Sequence, residues 1–519
     1  MAVFAKTVVA GERGLVVAQS RDAAAIGAAV LEKGGNAIDA AVATSLALGV
    51  FEPWMSGIGG GCAALIQPPG EAMPIALDGG MIAARSLDPK AYPLSGGVGG
   101  DLFAWPGVVE DRNVSGPLSV AMPGLVAALG LAHARFGRLS WAEVVEPAAA
   151  AAEAGHRVDW YSTLIVATAA GELRRQPAAA AAWLANGLPP SPDWRKGVVT
   201  IDMENLALTY RRLAAAGADD FYRGELAARW IAEAKAAGTW LEAGDAEHYQ
   251  AAFVDPLRFD YRGATVSAMD GLFAGRSLRA TLERLAERWP GTALDAEGYA
   301  AIAEALRTAY GERLVRMGHA AELGNTTHFC VADADGMVVS WTQTLLSLFG
   351  SKVLLPETGI LLNNGVMWFD PRPGQPNALA PGAKPLANMC PALLELKDGR
   401  RVALGACGGR RILPAVAQLS SFLVDQGDDL ATAFARPRVD VSGGDVAIVD
   451  ARLDQPIQEA IARVMPIETV AEAIYPPHFA IPSALSLELG TAFAEGVTTK
   501  GISASCHPWA DAVAAGGQL

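Results

Sequence analysis

The sequence contains no apolar run of about 18 residues, roughly the length that a membrane-spanning helix needs. It also lacks an excess of basic residues: 41 Lys and Arg stand against 55 Asp and Glu, giving a formal net charge of −14. A chain with this charge repels the phosphates of a nucleic acid. We therefore predict neither a membrane segment nor a nucleic-acid partner.

Cysteine and histidine are scarce. The cysteines are odd in number and scattered, at Cys62, Cys330, Cys390, Cys407 and Cys506, whereas a disulfide framework needs paired cysteines. The seven histidines show no metal-ligand spacing, so we predict no metal and no other cofactor. The first residues also lack the basic segment and cleavage site of an export signal. Together these absences favour a reducing, cytoplasmic compartment.

Apolar residues are abundant, at 51% of 519, which is enough for a large core. Asp22–Lys33 is predicted to form a helix that ends at Gly34-Gly35, and Asn36 can cap a second helix running to Leu48. More helices are expected through much of 120–250. Segments typical of strands lie at 60–77, 250–268, 329–345 and 392–406. The pattern predicts helices mixed with antiparallel hairpins.

The segment around Thr326 is the most informative in the chain. Thr-Thr-His by itself usually marks only the start of a strand. Here two β-prone runs flank Asp335-Gly336, a pair typical of a two-residue type I′ hairpin. Counting back from that turn, Thr327 faces Thr344. The Thr344 hydroxyl would then lie close enough to hydrogen-bond Thr326.

Thr326 can act as a nucleophile only if a base removes the proton of its hydroxyl. No recognisable Asp-His pair accompanies it in the sequence. Cleavage of the peptide bond before Thr326 would free an α-amine with a pKa of about 7.7–8.0 on the same residue. One residue would then supply both the nucleophile and the base.

A double glycine, Gly408-Gly409, follows a predicted strand and precedes a helix-like stretch. Such a turn can point backbone N–H groups at an oxyanion, where each donor typically lowers the barrier by about 2.7–4 kcal/mol. The alternative is a turn that only lets strand and helix pack closely. Without Thr326, that structural interpretation would be preferred.

Motifs in the same order along nearly the whole chain resemble the γ-glutamyltransferase family of N-terminal-nucleophile hydrolases. These motifs lie at Leu31–Pro53, Ser56–Gly61, Ser119–Leu129, Phe221–Glu225, Thr326–His328, Thr342–Thr344, Thr358–Asn364, Pro381–Leu386, Met389–Pro391 and Gly408–Gly409. The resemblance implies a four-layer αββα sandwich, which is an α+β fold.

The resemblance also implies a self-cleaving precursor. The family's nucleophile falls on Thr326, released by cleavage between Asn325 and Thr326. Two chains, 1–325 and 326–519, would result and would form one interdigitated catalytic unit as a heterodimer. Whether further homo-oligomers form is left open.

Other catalytic positions are present in this sequence. The threonine that hydrogen-bonds the nucleophile falls on Thr344, and the oxyanion-hole glycines fall on Gly408 and Gly409. The resemblance therefore implies intact catalytic residues.

The substrate positions depart from the family pattern. Leu346, Gly365 and Trp368 stand where γ-glutamyl enzymes place an asparagine, a glutamine and an aspartate around the substrate's ammonium group. None of the three offers a side-chain oxygen, and an unpaired ammonium in a closed pocket costs several kcal/mol. Leu346 and Trp368 instead suggest an apolar wall.

The positions that would hold the substrate's carboxylate are changed as well. The family's paired serines become Ala387 and Asn388, and its arginine has only Arg85 or Lys90 at shifted positions. Asn388, together with Arg85, Lys90 or Arg410, could hold a carboxylate or a carbonyl. Glutathione is not expected as the main substrate.

Two segments look short beside the family pattern. Phe369–Pro381 replaces a longer lid-bearing loop, which would open the pocket and favour hydrolysis over transfer. Gly311–Asn325 leaves little chain to move aside after cleavage.

Three functions follow as hypotheses. The first is an N-terminal-threonine amidohydrolase acting on a small non-γ-glutamyl amide, similar to the family's oxamate-hydrolase or acylase branches. The second is a γ-glutamyl hydrolase or transpeptidase whose recognition residues have moved. The third is an unprocessed, non-catalytic binding protein.

Overall fold

The computed structural model describes residues 8–11, 13–98, 105–192, 195, 197–291, 293–317, 325–473, 477–493, 496–506 and 511–515. The described helices include none that is long and apolar enough to cross a membrane. Their bounds are α1 (Arg21–Glu32), α2 (Ala37–Phe51), α3 (Leu125–Phe136), α4 (Trp141–Ala154), α5 (Trp160–Leu173), α6 (Pro177–Trp183), α7 (Glu204–Ala216), α8 (Asp220–Arg223), α9 (Glu225–Ala236), α10 (Ala243–His248), α11 (Gly275–Arg288), α12 (Ala296–Met317), α13 (Ile412–Asp425), α14 (Leu430–Ala435) and α15 (Gln455–Val464).

The strands are spread along the chain. Their bounds are β1 (Val9–Gly11), β2 (Gly14–Ala18), β3 (Gly61–Gln67), β4 (Ile75–Gly79), β5 (Leu94–Val98), β6 (Pro106–Val108), β7 (His156–Arg157), β8 (Thr200–Ile201), β9 (Ala252–Val254), β10 (Leu257–Tyr261), β11 (Ala264–Ala268), β12 (Asn325–Asp333), β13 (Val338–Leu346), β14 (Ala392–Glu395), β15 (Arg400–Cys407), β16 (Val439–Asp440), β17 (Ala447–Asp450), β18 (Ile467–Val470), β19 (Ile481–Phe493), β20 (Gly496–Cys506) and β21 (Asp511–Ala514).

Two seven-stranded sheets form the centre of the fold. Sheet I has the order β1-β20-β19-β15-β14-β11-β10, and sheet II has the order β21-β2-β12-β13-β3-β4-β9. They pack face to face, because β12 of sheet II contacts β15 and β19 of sheet I. Helices α1 to α3 pack on the outer face of sheet II, and α4 packs on α2; α11 and α13 pack on the outer face of sheet I, and α12 packs on α11. The predicted αββα sandwich is confirmed.

Alternation along the strands explains the layers. On β2, Leu15 and Val17 pack between the two sheets, whereas Val16 points to the helices outside sheet II. On β3, Ala63 and Leu65 likewise face the second sheet. Because successive side chains of a strand point to opposite faces, a strand that is apolar at every position is buried on both sides.

Helix α2 carries the chain toward the site. Asn36 caps it by accepting hydrogen bonds from the Ile38 and Asp39 N–H groups, and the Asp39 carboxylate accepts from the Asn36 N–H at 2.9 Å. Residues 37–50 of the helix are all buried. It ends at Phe51, three residues beyond the predicted end, and the next residue, Glu52, is buried.

The hairpin of β12 and β13 corrects the predicted register. Thr327 pairs with Gln343 rather than with Thr344. The turn is a three-residue loop, 334–336, in which Gly336 has a φ of +92°, and the Asp333 N–H donates to the Met337 carbonyl at 3.2 Å. The longer loop shifts every pair by one residue, so the two-residue turn prediction is wrong.

Candidate active site

Thr326 is buried near the start of β12, at 3% exposure. The pairing of β12 with β13 shifts between Asn325 and Thr327, which places an irregularity at Thr326 itself. There the Thr326 Oγ1 donates a long hydrogen bond, 3.5 Å, to Thr344 Oγ1. Thr344 Oγ1 also accepts from the Leu346 N–H at 2.8 Å. The two hydroxyls therefore lie close together, as predicted, although the predicted register of the hairpin is wrong.

A buried carboxyl at the end of α2 contacts the residue after Thr326. Thr327 Oγ1 donates to Glu52 Oε2 at 3.1 Å. Burial raises the pKa of Glu52 to about 8, so Glu52 is largely protonated at neutral pH. Burial also raises the pKa of Cys407, whose Sγ accepts a 3.0 Å hydrogen bond from Gln19. Glu52 thus links the strand of Thr326 to the end of α2.

His328 fixes the contact between the two sheets. Its Nδ1 lies 2.9 Å from Thr342 Oγ1, and its Nε2 lies 3.2 Å from Cys330 Sγ. Gly405 of β15 makes room for the ring, since a Cβ there would come within 2.3 Å of it. Burial lowers the pKa of His328 to about 3, which keeps the imidazole neutral. These surroundings fit a structural role for His328.

Cys330 and Cys407, the described cysteines at the site, are buried. Burial raises the pKa of both thiols, so neither is a ready nucleophile at neutral pH.

Gly408 and Gly409 form the turn between β15 and α13. Their φ angles are +129° and +60°, a region that disfavours other residues. A Cβ on Gly408 would lie 3.0 Å from Ala480 Cα, so space is limited as well. The turn lies at the end of β15, which packs against β12, the strand of Thr326; Gly405 of β15 lies against the His328 ring of β12.

The substituted substrate positions fall into one apolar cluster. Leu346, Trp368 and Ala387 are all buried and pack in the cluster that also holds Met81. Leu346 has a φ of +88°, which is strained for a branched side chain. Gly365 packs tightly beside them, because a Cβ there would lie 2.7 Å from Ala121 Cβ.

A cavity of about 330 Å³ opens beside this cluster. Its buried wall includes Trp368, Ala387, Met81 and Phe273, and its rim carries Asp78, Asp255, Asp270 and Lys384. A larger cavity of about 560 Å³ includes none of the predicted site residues, and its size alone does not relate it to Thr326.

Two predicted contacts are not in the wall of this cavity. Arg85 is exposed, and its backbone N–H donates to Asp245 Oδ1. Asn388 is buried next to Ala387, and its Nδ2 has no hydrogen-bond partner among the described residues. The cavity's own cation is Lys384, whose Nζ lies 2.8 Å from Asp78 Oδ2.

Sequence reasoning missed both Glu52 and Lys384 as site residues. Glu52 follows an otherwise apolar helix and precedes Pro53, and Lys384 lies inside the Pro381–Leu386 motif. A lone charge at the edge of an apolar run is the signal that could have marked them. Residues 318–324 of the predicted linker and the Asn325 side chain lie outside the described residues.

Comparisons with known proteins agree with this architecture. A family model described as gamma-glutamyltranspeptidase matches residues 23–321 and 315–465. The acylase ACY 1 proenzyme of Pseudomonas sp. (strain SE83) is 33% identical over 88% of this chain and 86% of its own. The oxamate amidohydrolase proenzyme of Klebsiella pneumoniae is 30% identical over 82% and 84%.

Among solved structures, a cephalosporin acylase from Bacillus halodurans shares the fold with a TM-score of 0.82 and 24% identity, covering 99% of this chain and 98% of its own. The fold and the relatives define an enzyme of the N-terminal-nucleophile hydrolase type. The chain belongs to the γ-glutamyltranspeptidase family.

Proposed function

We propose that this protein is a self-processing amidohydrolase that uses Thr326 to hydrolyse a small non-γ-glutamyl amide. The observation that carries the proposal is the buried pair of hydroxyls, Thr326 Oγ1 and Thr344 Oγ1, at the irregularity near the start of β12. A threonine in such a pair is oriented before it reacts, which is what a nucleophile requires.

Processing is proposed to hydrolyse the peptide bond between Asn325 and Thr326. Water adds across that bond, leaving a carboxylate on Asn325 and a free α-amine on Thr326. The products are the fragments 1–325 and 326–519. They would stay together as a heterodimer because β12 is hydrogen-bonded between β2 and β13, with β2 in the first fragment.

Catalysis then proceeds through an ester. The α-amine of Thr326 takes the proton of its own hydroxyl while Oγ1 attacks the amide carbonyl, and the resulting oxyanion accepts hydrogen bonds from the N–H groups of Gly408 and Gly409. Collapse expels the protonated amine product and leaves the acyl group on Thr326. Water cleaves this ester and releases the acid.

The side chains at the substrate positions argue against a γ-glutamyl donor. Leu346 and Gly365 have no side-chain oxygen, and the indole of Trp368 is only a donor. Relatives named as an acylase and as an oxamate amidohydrolase support an amide of another kind.

Intact mass and N-terminal sequencing of the purified protein test the proposal. The wild type should give two fragments, the smaller beginning at Thr326, and Thr326→Ala should remain whole. Thr326→Ser, which keeps a hydroxyl and an α-amine, should still be processed. Thr281→Val is the control for loss of a buried threonine hydroxyl, because Thr281 lies in α11 and donates to the Ser277 carbonyl. A wild type that stays one chain, or Thr326→Ala that is cut, would overturn the proposal.

A further inference from the structure

Tyr310 contacts the turn that contains the double glycine. It lies in α12, is 2% exposed, and donates a hydrogen bond from its phenol to the backbone carbonyl of Arg410, the residue after Gly409. The Arg410 guanidinium lies over the Tyr310 ring, 5.9 Å from its centroid. Burial raises the pKa of Tyr310, so the phenol keeps its proton and remains a donor. The turn is therefore bonded to a helix that belongs to the first proposed fragment.

The local sequence explains why the Arg410 carbonyl needs a donor from elsewhere in the chain. In a continuing helix this carbonyl would accept from the N–H four residues further on, but that residue is Pro414, which has no N–H. Arg410 is only 3% exposed, and buried carbonyls are almost always paired with a donor. The Tyr310 hydroxyl takes the place of the missing backbone donor.

Arg313, one turn further along α12, anchors this helix. It is 4% exposed, its Nη2 donates to the Ala387 carbonyl at 2.7 Å, and its Nη1 donates to the Phe273 carbonyl at 3.2 Å. The two segments that it contacts are also bonded to each other, since the Ala387 N–H donates to the Leu272 carbonyl at 2.9 Å. Phe273 lies in the first proposed fragment and Ala387 in the second. The position of Tyr310 is thereby fixed relative to both fragments.

Resting on the proposed hydrolase function, we propose that Tyr310 is a positioning residue that holds the N–H groups of Gly408 and Gly409 where they bind the oxyanion. It acts through the Arg410 carbonyl and not by contact with the substrate. Oxyanion donors are effective only if they are in place before the reaction, and a misplacement of about 1 Å can cost about a hundredfold in rate. Loss of the Tyr310 hydroxyl should therefore lower kcat and kcat/KM by the same factor.

Two tyrosine variants on the same helix test this role. Tyr310→Phe removes only the hydroxyl that donates to Arg410. Tyr299→Phe is the matched control, because the hydroxyl of buried Tyr299, also in α12, donates to a different backbone carbonyl, that of Pro437, at 2.8 Å.

The kinetics are measured on four p-nitroanilides, which carry acetyl, hexanoyl, glutaryl and γ-glutamyl groups, with the compound that the wild type hydrolyses fastest. We expect kcat to fall by about tenfold or more in Tyr310→Phe and by less than about twofold in Tyr299→Phe, with KM nearly unchanged in both. Equal losses of kcat in the two variants, or a change in KM alone, would overturn the inference.

A second substitution separates the hydrogen bond from the packing of the ring. Pro414→Ala restores a backbone N–H that can donate to the Arg410 carbonyl. Added to Tyr310→Phe, it should recover most of the lost kcat, and by itself it should leave kcat close to that of the wild type. If the double variant is no more active than Tyr310→Phe, the unpaired carbonyl is not the cause of the loss and the inference is wrong.

Hydrogen exchange separates failure of this inference from failure of the proposed function. If the wild type is not processed at Thr326, the proposed function is wrong. In that case, or if the processed protein hydrolyses none of the four compounds, amide exchange over Gly408–Leu413 decides, because it needs no turnover. Faster exchange there in Tyr310→Phe than in the wild type and in Tyr299→Phe supports the inference; equal exchange in all three contradicts it.

Discussion

Thr327 and Glu52 meet in the interior, where the Thr327 hydroxyl donates to the Glu52 carboxyl at 3.1 Å. The contact joins the residue after the proposed nucleophile to the end of α2. Because the carboxyl is buried, its proton is retained in the folded state at a pH where the unfolded chain has released it. The stability of the protein should therefore depend on the protonation of Glu52.

The first prediction concerns that dependence. The pKa of Glu52 rises from about 4.5 in the unfolded chain to about 8 in the fold, so its contribution to stability is present below pH 4.5 and is lost as the pH rises toward 8. Between these values the unfolding free energy should fall by up to about 4 kcal/mol. Glu52→Gln should remove most of this loss.

Urea unfolding at pH 5 and pH 8 checks this prediction. It is best made in a Thr326→Ala background, where the chain is expected to stay whole, so that unfolding does not depend on concentration. If Glu52→Gln in that background left the pH dependence of the unfolding free energy unchanged, the pKa of Glu52 would not differ between the folded and the unfolded chain.

The second prediction concerns Thr344. Thr344→Val removes the hydroxyl that accepts from Thr326 and from the Leu346 N–H. We expect kcat to fall roughly ten- to a hundredfold with little change in KM, since the bond orients the nucleophile rather than the substrate. Thr344→Ser should recover most of the activity. If Thr344→Val changed KM and left kcat unchanged, Thr344 would act in substrate binding instead.

The third prediction concerns the double glycine. Gly408→Ala adds a Cβ 3.0 Å from Ala480 Cα at a φ of +129°, so the turn must move and with it the N–H groups proposed to bind the oxyanion. We expect kcat to fall by about a hundredfold or more. Gly427→Ala is the matched control, because Gly427 also has a positive φ but no atom within 4 Å of an added Cβ. Equal losses of kcat in the two variants would indicate a general backbone effect.

The fourth prediction concerns specificity. Replacing Leu346 by Asn and Trp368 by Asp supplies two acceptors for an ammonium group, and Asn tolerates the φ of +88° at position 346. Hydrolysis of γ-glutamyl-p-nitroanilide should rise at least about tenfold, the effect of one charge-assisted hydrogen bond. The variant with Asn at both positions keeps the oxygens without the charge and should gain less. Equal gains would mean that charge does not govern this pocket.

Local signals predicted much of the fold. The helix after Asn36 could be predicted because the Asn36 cap is encoded within a few residues. The strands around Thr326 could be predicted because they combine β-prone residues with a turn. The register could not, since the Asp333 carboxylate that stabilises the longer loop also accepts from the Ala37 N–H, which is distant in sequence.

The parts of the fold and of the site that were not predicted depend on contacts between residues far apart in sequence. Strands β19 and β20 were not predicted, because β19 is fixed by pairs such as Leu404 with Ala484 that no short segment reveals. Within the candidate site, Thr344 could be predicted from its place on a strand beside Thr326. Glu52 was missed, because its role depends on a buried contact with Thr327, which is distant in sequence. Whether the chain divides into 1–325 and 326–519 remains a prediction.

The central claim is that Thr326 carries the acyl group. The most direct test is to quench the processed enzyme in acid while it turns over the acyl-p-nitroanilide that it hydrolyses fastest, and to map the adduct by mass spectrometry. The account predicts one acyl group on the fragment that begins at Thr326, attached to Thr326 itself. An adduct on another residue, or turnover by Thr326→Ala at the wild-type rate, would contradict it.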